Sequence, residues 1–184
     1  MQGIIKVILN LFSRKFLIKI SLILKPFFEL IFRGNRFVDP INKKSYSYFF
    51  PYGYNKLRKN ALSPGTLSLE RHRLLWIFLE KETDFFNTEN KILHIAPEQC
   101  FYKSFKKNFG PYTTCDLNSP IAEIKADVCN LPFDENEFDF VLCNHVLEHV
   151  YDDERAMKEI YRVLKHEGKA SLQVPLDKAL EKTI

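Results

Sequence analysis

Metal-type cysteine pairs are missing from this chain. Its four cysteines, Cys100, Cys115, Cys129 and Cys143, show no Cys-x-x-Cys spacing, which argues against a thiolate zinc site and fits reduced, buried side chains in a cytoplasmic redox environment. Long apolar runs are also lacking. Lysines and arginines interrupt residues 1–33 before the roughly 18 apolar residues needed to span a bilayer accumulate. No small-residue cleavage site follows the short run Val7–Leu9, so a secretory leader is a poor match. Repeats and low-complexity tracts are absent. Acidic residues are scarce at the front: residues 1–60 hold 12 Lys and Arg against 2 Asp and Glu, whereas residues 61–184 hold 15 against 21. The net charge of +4 therefore hides a basic front and an acidic back, and the front favours an anionic surface or substrate. Its basic residues are interleaved with apolar ones rather than set in a recognition motif, so nucleic acid is not the expected partner.

What is present is a set of apolar segments that stop abruptly at polar residues. Lys91–Ile95 has the pattern of a short buried strand broken at Ala96-Pro97, and Cys100–Asn108 has helical content with Phe101 and Phe105 four apart. Tyr112–Cys115 is a second β-rich run that ends at Asp116. Phe138–Leu142 is a third, ending at Asn144-His145, after which a helix opens at Asp152-Asp153 and continues to Gly168 with Ala156, Met157, Ile160, Tyr161, Val163 and Leu164 towards the sheet. Ala170–Val174 makes a further strand. Alternating strands and helices predict an α/β fold with a mostly parallel sheet and helices on both faces. Its ligands belong at the carboxyl ends of the strands. A carboxylate about 20 residues after the first strand–helix turn suits the two hydroxyls of a ribose, which makes Asp116 a nucleoside-cofactor candidate.

The blocks Thr114-Cys-Asp116-Leu-Asn118, Ala126-Asp127-Val128-Cys-Asn-Leu131-Pro132-Phe133, Asn144-His145-Val-Leu-Glu-His149 and Glu159-Ile-Tyr-Arg162 resemble the class I S-adenosylmethionine-dependent methyltransferases, with a type 11 domain and a Rossmann-like fold. The resemblance runs from about Lys91 to Pro175. It implies that S-adenosylmethionine is the cofactor and that Asp116, with Leu117 beside it, holds the ribose. It also implies that Asp127 and Val128 border the adenine, and that Asn144 and His145 border the methyl group and the acceptor. The family's glycine-rich first loop is replaced here by His94-Ile-Ala96-Pro-Glu98-Gln-Cys100. Some relatives carry a similar loop, which implies His94, Ala96 and Glu98 as cofactor contacts, with Glu98 near the amino acid moiety. A general base with a near-neutral pKa is expected at His145. His145, Glu148 and His149 superficially suggest a metal, but no third clear ligand accompanies the histidines, and none is expected.

In front of this core, residues 1–36 form an apolar, basic helical extension. Two segments separated at Pro26 put Ile5, Leu9, Phe12, Phe16, Ile20, Ile23, Phe27 and Leu30 on one face. That face suits either a peripheral membrane anchor through residues 1–33 or a lid packed on the core. Residues 37–67 form a small module in which Asp39-Pro-Ile-Asn42 and Ser63-Pro-Gly-Thr66 resemble the Cys-Pro-x-Cys knuckles of related methyltransferases, with every thiolate replaced. No metal is expected there. A weak edge strand over Tyr46–Phe50 and a turn at Pro51–Gly53 complete the module. The core then occupies 68–184, opening with a helix capped by Ser68 and apolar through Leu69, Leu74, Leu75, Phe78 and Leu79. Arg71-His72-Arg73 on that helix suits either an anionic group or a solvated face. Nine residues follow Pro175, where the resemblance implies a further helix and an antiparallel strand pair, so the C-terminal strands are expected to be missing. The function expected is methyl transfer to a small-molecule or lipid-type acceptor; the alternative is a fold kept for binding or for a membrane-surface role.

Overall fold

The computed structural model describes residues 14–53 and 56–175. Packing divides the chain into two compact units, Met1–Glu82 and Thr83–Ile184.

Among the described residues the first unit begins with α1, Arg14–Ile31. It runs through Pro26 as one helix rather than as two segments. Proline removes a single backbone hydrogen bond, and the turns beyond it are anchored, because the Phe28 and Phe32 rings lie 5.5 and 4.8 Å from that of Phe50. Strand β1 (Arg33–Asp39) pairs antiparallel with β2 (Lys44–Tyr46), and β3 (Phe50–Tyr52) with β4 (Arg58–Leu62). The single strand expected over Tyr46–Phe50 is thus two, because the Ser47 amide leaves the ladder to donate to Phe32 O at 2.8 Å. Pro51 sits within β3 instead of a turn.

The two knuckle-like turns are held by hydrogen bonds. Asp39 is fully buried; its Oδ1 accepts from the Ile41 amide at 3.0 Å, and its Oδ2 accepts from the Thr66 hydroxyl. The Thr66 oxygen lies 2.7 Å from Ser68 Oγ, while Ser63 Oγ accepts from the amides of Gly65 and Thr66. Asn42 donates to Tyr46 Oη at 2.8 Å. A Cβ on Gly65 would come within 1.8 Å of that oxygen, so the second knuckle needs glycine there. Burial pushes the Tyr46 phenol up to about 12, keeping it protonated in this cluster. Ser68 therefore belongs to the knuckles, and α2 starts later, at Glu70–Glu82, with His72 Nδ1 accepting the Leu69 amide. Leu75, Trp76 and Leu79 are buried, whereas Leu74 and Phe78 face outward. Arg73 is used internally: it donates to Ser68 O and Ala61 O and lies over the Phe49 ring.

The second unit is a four-stranded parallel sheet in the order β6-β5-β7-β8, comprising β5 (Ile92–Ile95), β6 (Tyr112–Cys115), β7 (Phe138–Asn144) and β8 (Leu164–Gln173). Every residue of β5 is buried, as a parallel strand covered on both faces must be. Ile92 and His94 share one face, on which the His94 ring lies among the aromatic rings of α3 (Gln99–Asn108). Phe101 and Phe105, one helical turn apart, stack there at 5.2 Å, and Phe85 meets Phe105, Phe109 and Phe140 edge-on. Leu93 and Ile95 share the other face with Val141 and Cys143, beneath Ala156, Ile160 and Val163 of α4 (Asp153–Val163). Met157 and Tyr161, expected in that stripe, are 42% and 82% exposed because they fall off its four-residue spacing. The helix also stops at Val163, not Gly168. Residues 164–168 already belong to β8, where a register shift accompanies the left-handed Glu167 (φ 67°) next to Gly168.

Candidate active site

Strand order places β5 between a neighbour reached in one direction, β6, and one reached in the other, β7. Just beyond the carboxyl ends at such a switch point two connections diverge and leave a crevice. Here it is a cleft of about 610 Å³, within the ordinary range for small-molecule sites. Ala96, Asp116, Leu117, Asp127, Val128 and His145 line it. The structure thus brings six of the expected site residues together.

Each is held by its element's end. Ala96 follows β5 with φ 51°, and its amide donates to Cys115 O at 2.8 Å. This left-handed backbone is the one a glycine adopts freely, so alanine, the smallest residue with a Cβ, fills the role expected of a glycine-rich turn at a strain of roughly 1–2 kcal/mol. Asp116 follows β6, and its Oδ1 accepts from the Asn118 amide at 2.6 Å and from the Ser119 amide. Asp127 Oδ1 accepts from the Cys129 amide at 2.9 Å, while Val128 is buried beside it. The next stretch is clamped from α4: Arg162 donates to Leu131 O and Phe133 O, and Glu159 accepts the Leu131 amide. Hydrogen bonding to Arg162 holds the Glu159 carboxyl below its usual value. His145 follows β7 with φ 56°; its amide donates to Gln173 O at 2.7 Å, and Nδ1 lies 3.3 Å from Glu148 Oε1.

The other three expected residues do not line the cleft. His94 is fully buried, with Nδ1 2.9 Å from Tyr112 Oη and Nε2 2.5 Å from Glu98 Oε2. Glu98 Oε1 accepts from Asn144 Nδ2 at 3.2 Å, and Asn144 Oδ1 accepts from Ser171 Oγ at 3.4 Å. This polar chain links β6, β5, β7 and β8 just below the cleft floor. Burial raises the Tyr112 phenol, with the Glu98 carboxylate adding to the effect. Burial also pushes the thiols of Cys115 and Cys143 up to about 12, so neither is a thiolate nucleophile near neutral pH.

Sequence reasoning missed His149, Tyr151, Asp152 and Arg155 as cleft residues. Asp152 was legible as a helix cap, and it is one, accepting the Arg155 amide at 2.9 Å. The available signal was that α4 begins within ten residues of a strand's carboxyl end, so that its first turn borders whatever that end presents. Asp116, Asp127 and Asp152 outnumber Arg155 among the acidic and basic side chains that line the cleft, so the cleft favours a cation. Among the described residues no cluster of three or more His, Cys, Asp or Glu is placed to hold a metal.

Residues 90–172 match the family described as "Methyltransferase domain". This segment is similar to the methyltransferase domains of that family. Within the curated proteins the chain is 46% identical over 52 residues to the 2-phytyl-1,4-naphtoquinone methyltransferase of Nostoc punctiforme, covering 28% of this chain and 23% of that protein. It is 42% identical over 59 residues to the demethylmenaquinone methyltransferase of Staphylococcus epidermidis, covering 32% of this chain and 24% of that protein. The chain thus spans about a quarter of the length of these relatives. A solved structure, the YcgJ protein of Bacillus subtilis, superposes with a TM-score of 0.47 at 21% identity, covering 56% of this chain and 50% of that one. The matched segment contains the whole parallel sheet apart from Gln173, and with it the cleft's lining.

Proposed function

We propose that the domain binds S-adenosylmethionine in the cleft and transfers its methyl group to an apolar, quinone-type acceptor. The observation that carries the cofactor assignment is the Asp116 carboxylate, fixed at the end of β6 in a cleft at the switch point of a methyltransferase domain. S-adenosylmethionine supplies a methyl made electrophilic by its sulfonium charge, so the protein's main task is alignment. Asp116, oriented through Oδ1 by two amides, receives the ribose hydroxyls on Oδ2, while Asp127 and Val128 flank the adenine. The left-handed Ala96 keeps the first loop low enough for close approach. His94, Glu98 and Asn144 act from beneath, fixing that loop to the end of β7. His145, at the same end, takes the proton that an acceptor hydroxyl gives up.

Two observations support the acceptor class. The relatives' names are those of naphthoquinone and menaquinone methyltransferases. Leu117, Val146, Val150 and Tyr151 give the cleft an apolar wall, with Leu117 48% exposed to meet a ring.

Calorimetric titration with S-adenosylmethionine and S-adenosylhomocysteine tests the cofactor site. Micromolar binding is expected. Removing a carboxylate that accepts two hydroxyls, as in Asp116→Ala, should weaken it by roughly 100-fold. Binding unchanged in Asp116→Ala, or absent from the folded chain, would overturn the assignment. Transfer of a labelled methyl to a reduced 1,4-naphthoquinone then tests the acceptor.

A further inference from the structure

The first unit carries an apolar surface that nothing in methyl transfer uses. On α1, Ile23, Phe27, Leu30 and Ile31 are 75%, 58%, 73% and 53% exposed, and Leu24 and Ile20 are 41% and 37% exposed. At 100° per residue these six fall within an arc of about 120°. The helix has a docked side as well, since Phe28 and Phe32 meet Phe50. The exposed arc is therefore not the face that holds α1 to its own unit.

Charge identifies what covers it. From Arg14 to Lys44 there are eight lysines and arginines against two acids, Glu29 and Asp39. Both acids are internally engaged: Glu29 pairs with Lys25 and Lys44, and Asp39 is fully buried between the knuckles. A third acid, Glu80 of α2, lies 3.4 Å from Lys43, and the lysines and arginines of this stretch still outnumber the acids that meet them. A cavity of about 590 Å³ beside the helix joins Pro26 and Leu30 to Arg33, Lys43 and Lys44. Glu29 lines the same depression and pairs with Lys44, and Lys43 lies 3.4 Å from Glu80, so beside the apolar edge the positive surplus rests mainly on Arg33, where a lipid's phosphate would sit next to its acyl chain. Among the described residues no helix is long and apolar enough to cross a membrane, and a helix lying in the interface does not need to be.

We propose that α1 docks flat on an anionic lipid bilayer, burying the Ile20–Ile31 face among the acyl chains and placing a headgroup phosphate beside Arg33, Lys43 and Lys44. A soluble protein partner without acidic character would leave unexplained why the segment that carries the apolar arc is also rich in lysine and arginine. A bilayer carrying acidic headgroups accounts for both.

The test is flotation of the full chain with vesicles of phosphatidylcholine alone and with about one-third phosphatidylglycerol, a composition that gives the surface a negative potential. The chain should float with the anionic vesicles and largely ignore the neutral ones, and roughly 1 M salt should weaken the association. The double variant Ile23→Glu/Leu30→Glu alters only exposed side chains, so it should keep its circular dichroism while its partition falls about tenfold or more. Phe27→Leu should bind like the parent. Failure of the parent chain to float, or flotation unaltered by the double variant, would overturn the proposal. So would a concentration-dependent dimer that the double variant dissociates, with vesicles ignored, because the arc would then join two copies of the chain. None of these side chains lines the cleft, so titration of the same samples with S-adenosylmethionine reports separately on methyl transfer.

Discussion

The two units solve a similar problem with opposite materials. In each, a turn is held without the residue type that the resemblance to methyltransferases leads one to expect there. The knuckle turns of the first unit have no thiolates, and Asp39, Ser63, Thr66 and Ser68 hold them with a buried hydrogen-bond cluster. The first loop of the second unit has no glycine, and Ala96 adopts the left-handed backbone instead. The supports differ: short two-stranded hairpins around a polar cluster in one, and a parallel sheet between aromatic and aliphatic layers in the other. A turn can thus be held without thiolates or glycine when its buried polar groups are satisfied or when its surroundings over-determine a strained backbone.

If the aromatic layer is what fixes the second unit, Phe105→Ala should be the most damaging change, because the ring is fully buried and meets Phe85, Phe101 and Phe109. A loss of about 3–5 kcal/mol in denaturant unfolding is expected. In the first unit the counterpart is Asp39→Ala, which strands the Ile41 amide and the Thr66 hydroxyl. Its cost should be about 1–3 kcal/mol, and hydrogen exchange should show the knuckles loosening with α3 unaffected. Equal loosening of both units would break the comparison.

Acidification sharpens it further. Glu159 has its folded-state pKa lowered from 4.5, chiefly by hydrogen bonding to Arg162. Such a group contributes stability that is present above its unfolded value and lost as pH falls through the folded one. Protection of the Leu131 amide, which Glu159 accepts, should therefore be constant at neutral pH and decline below about 4.5. In Glu159→Gln the decline should be absent and the neutral-pH protection already reduced. The smallest effect belongs to Ala96→Gly. Relief of the left-handed strain and the added unfolded-state entropy oppose each other, so the stability change should stay within about 1 kcal/mol, with cofactor affinity retained.

Strands β5 and β7 were legible because each is a short apolar run that stops at polar residues, a pattern that survives in one dimension, whereas the charged first half of β8, Leu164–Gly168, reads as helix. Asp116 and His145 were legible for the same reason, as residues at which such runs end, whereas Asp127 and Val128 came only from the resemblance to the methyltransferases. His94 and Glu98 were placed in the right loop, but nothing in their spacing reveals that they face Tyr112 and Asn144 beneath the cleft instead of lining it. Arg155 was invisible because it reaches the cleft across a turn and a cap. Leu74 and Phe78 misled, since an apolar residue's type does not say which side of a helix finds a partner. Ile5, Leu9 and Phe12 lie outside the described residues.

The sequence by itself determined the alternation of strands and helices, the uneven charge and the chemistry available at each strand end, all set by local pattern and composition. Tertiary structure alone decided which of those ends share a cleft, that Phe28 of α1 and Phe32 just beyond it are half-buried against Phe50 while Ile23 and Leu30 are exposed, and that hydrogen bonds hold the knuckles. Those outcomes depend on which distant residues meet, and contact between residues far apart in the chain is a property of the packed whole.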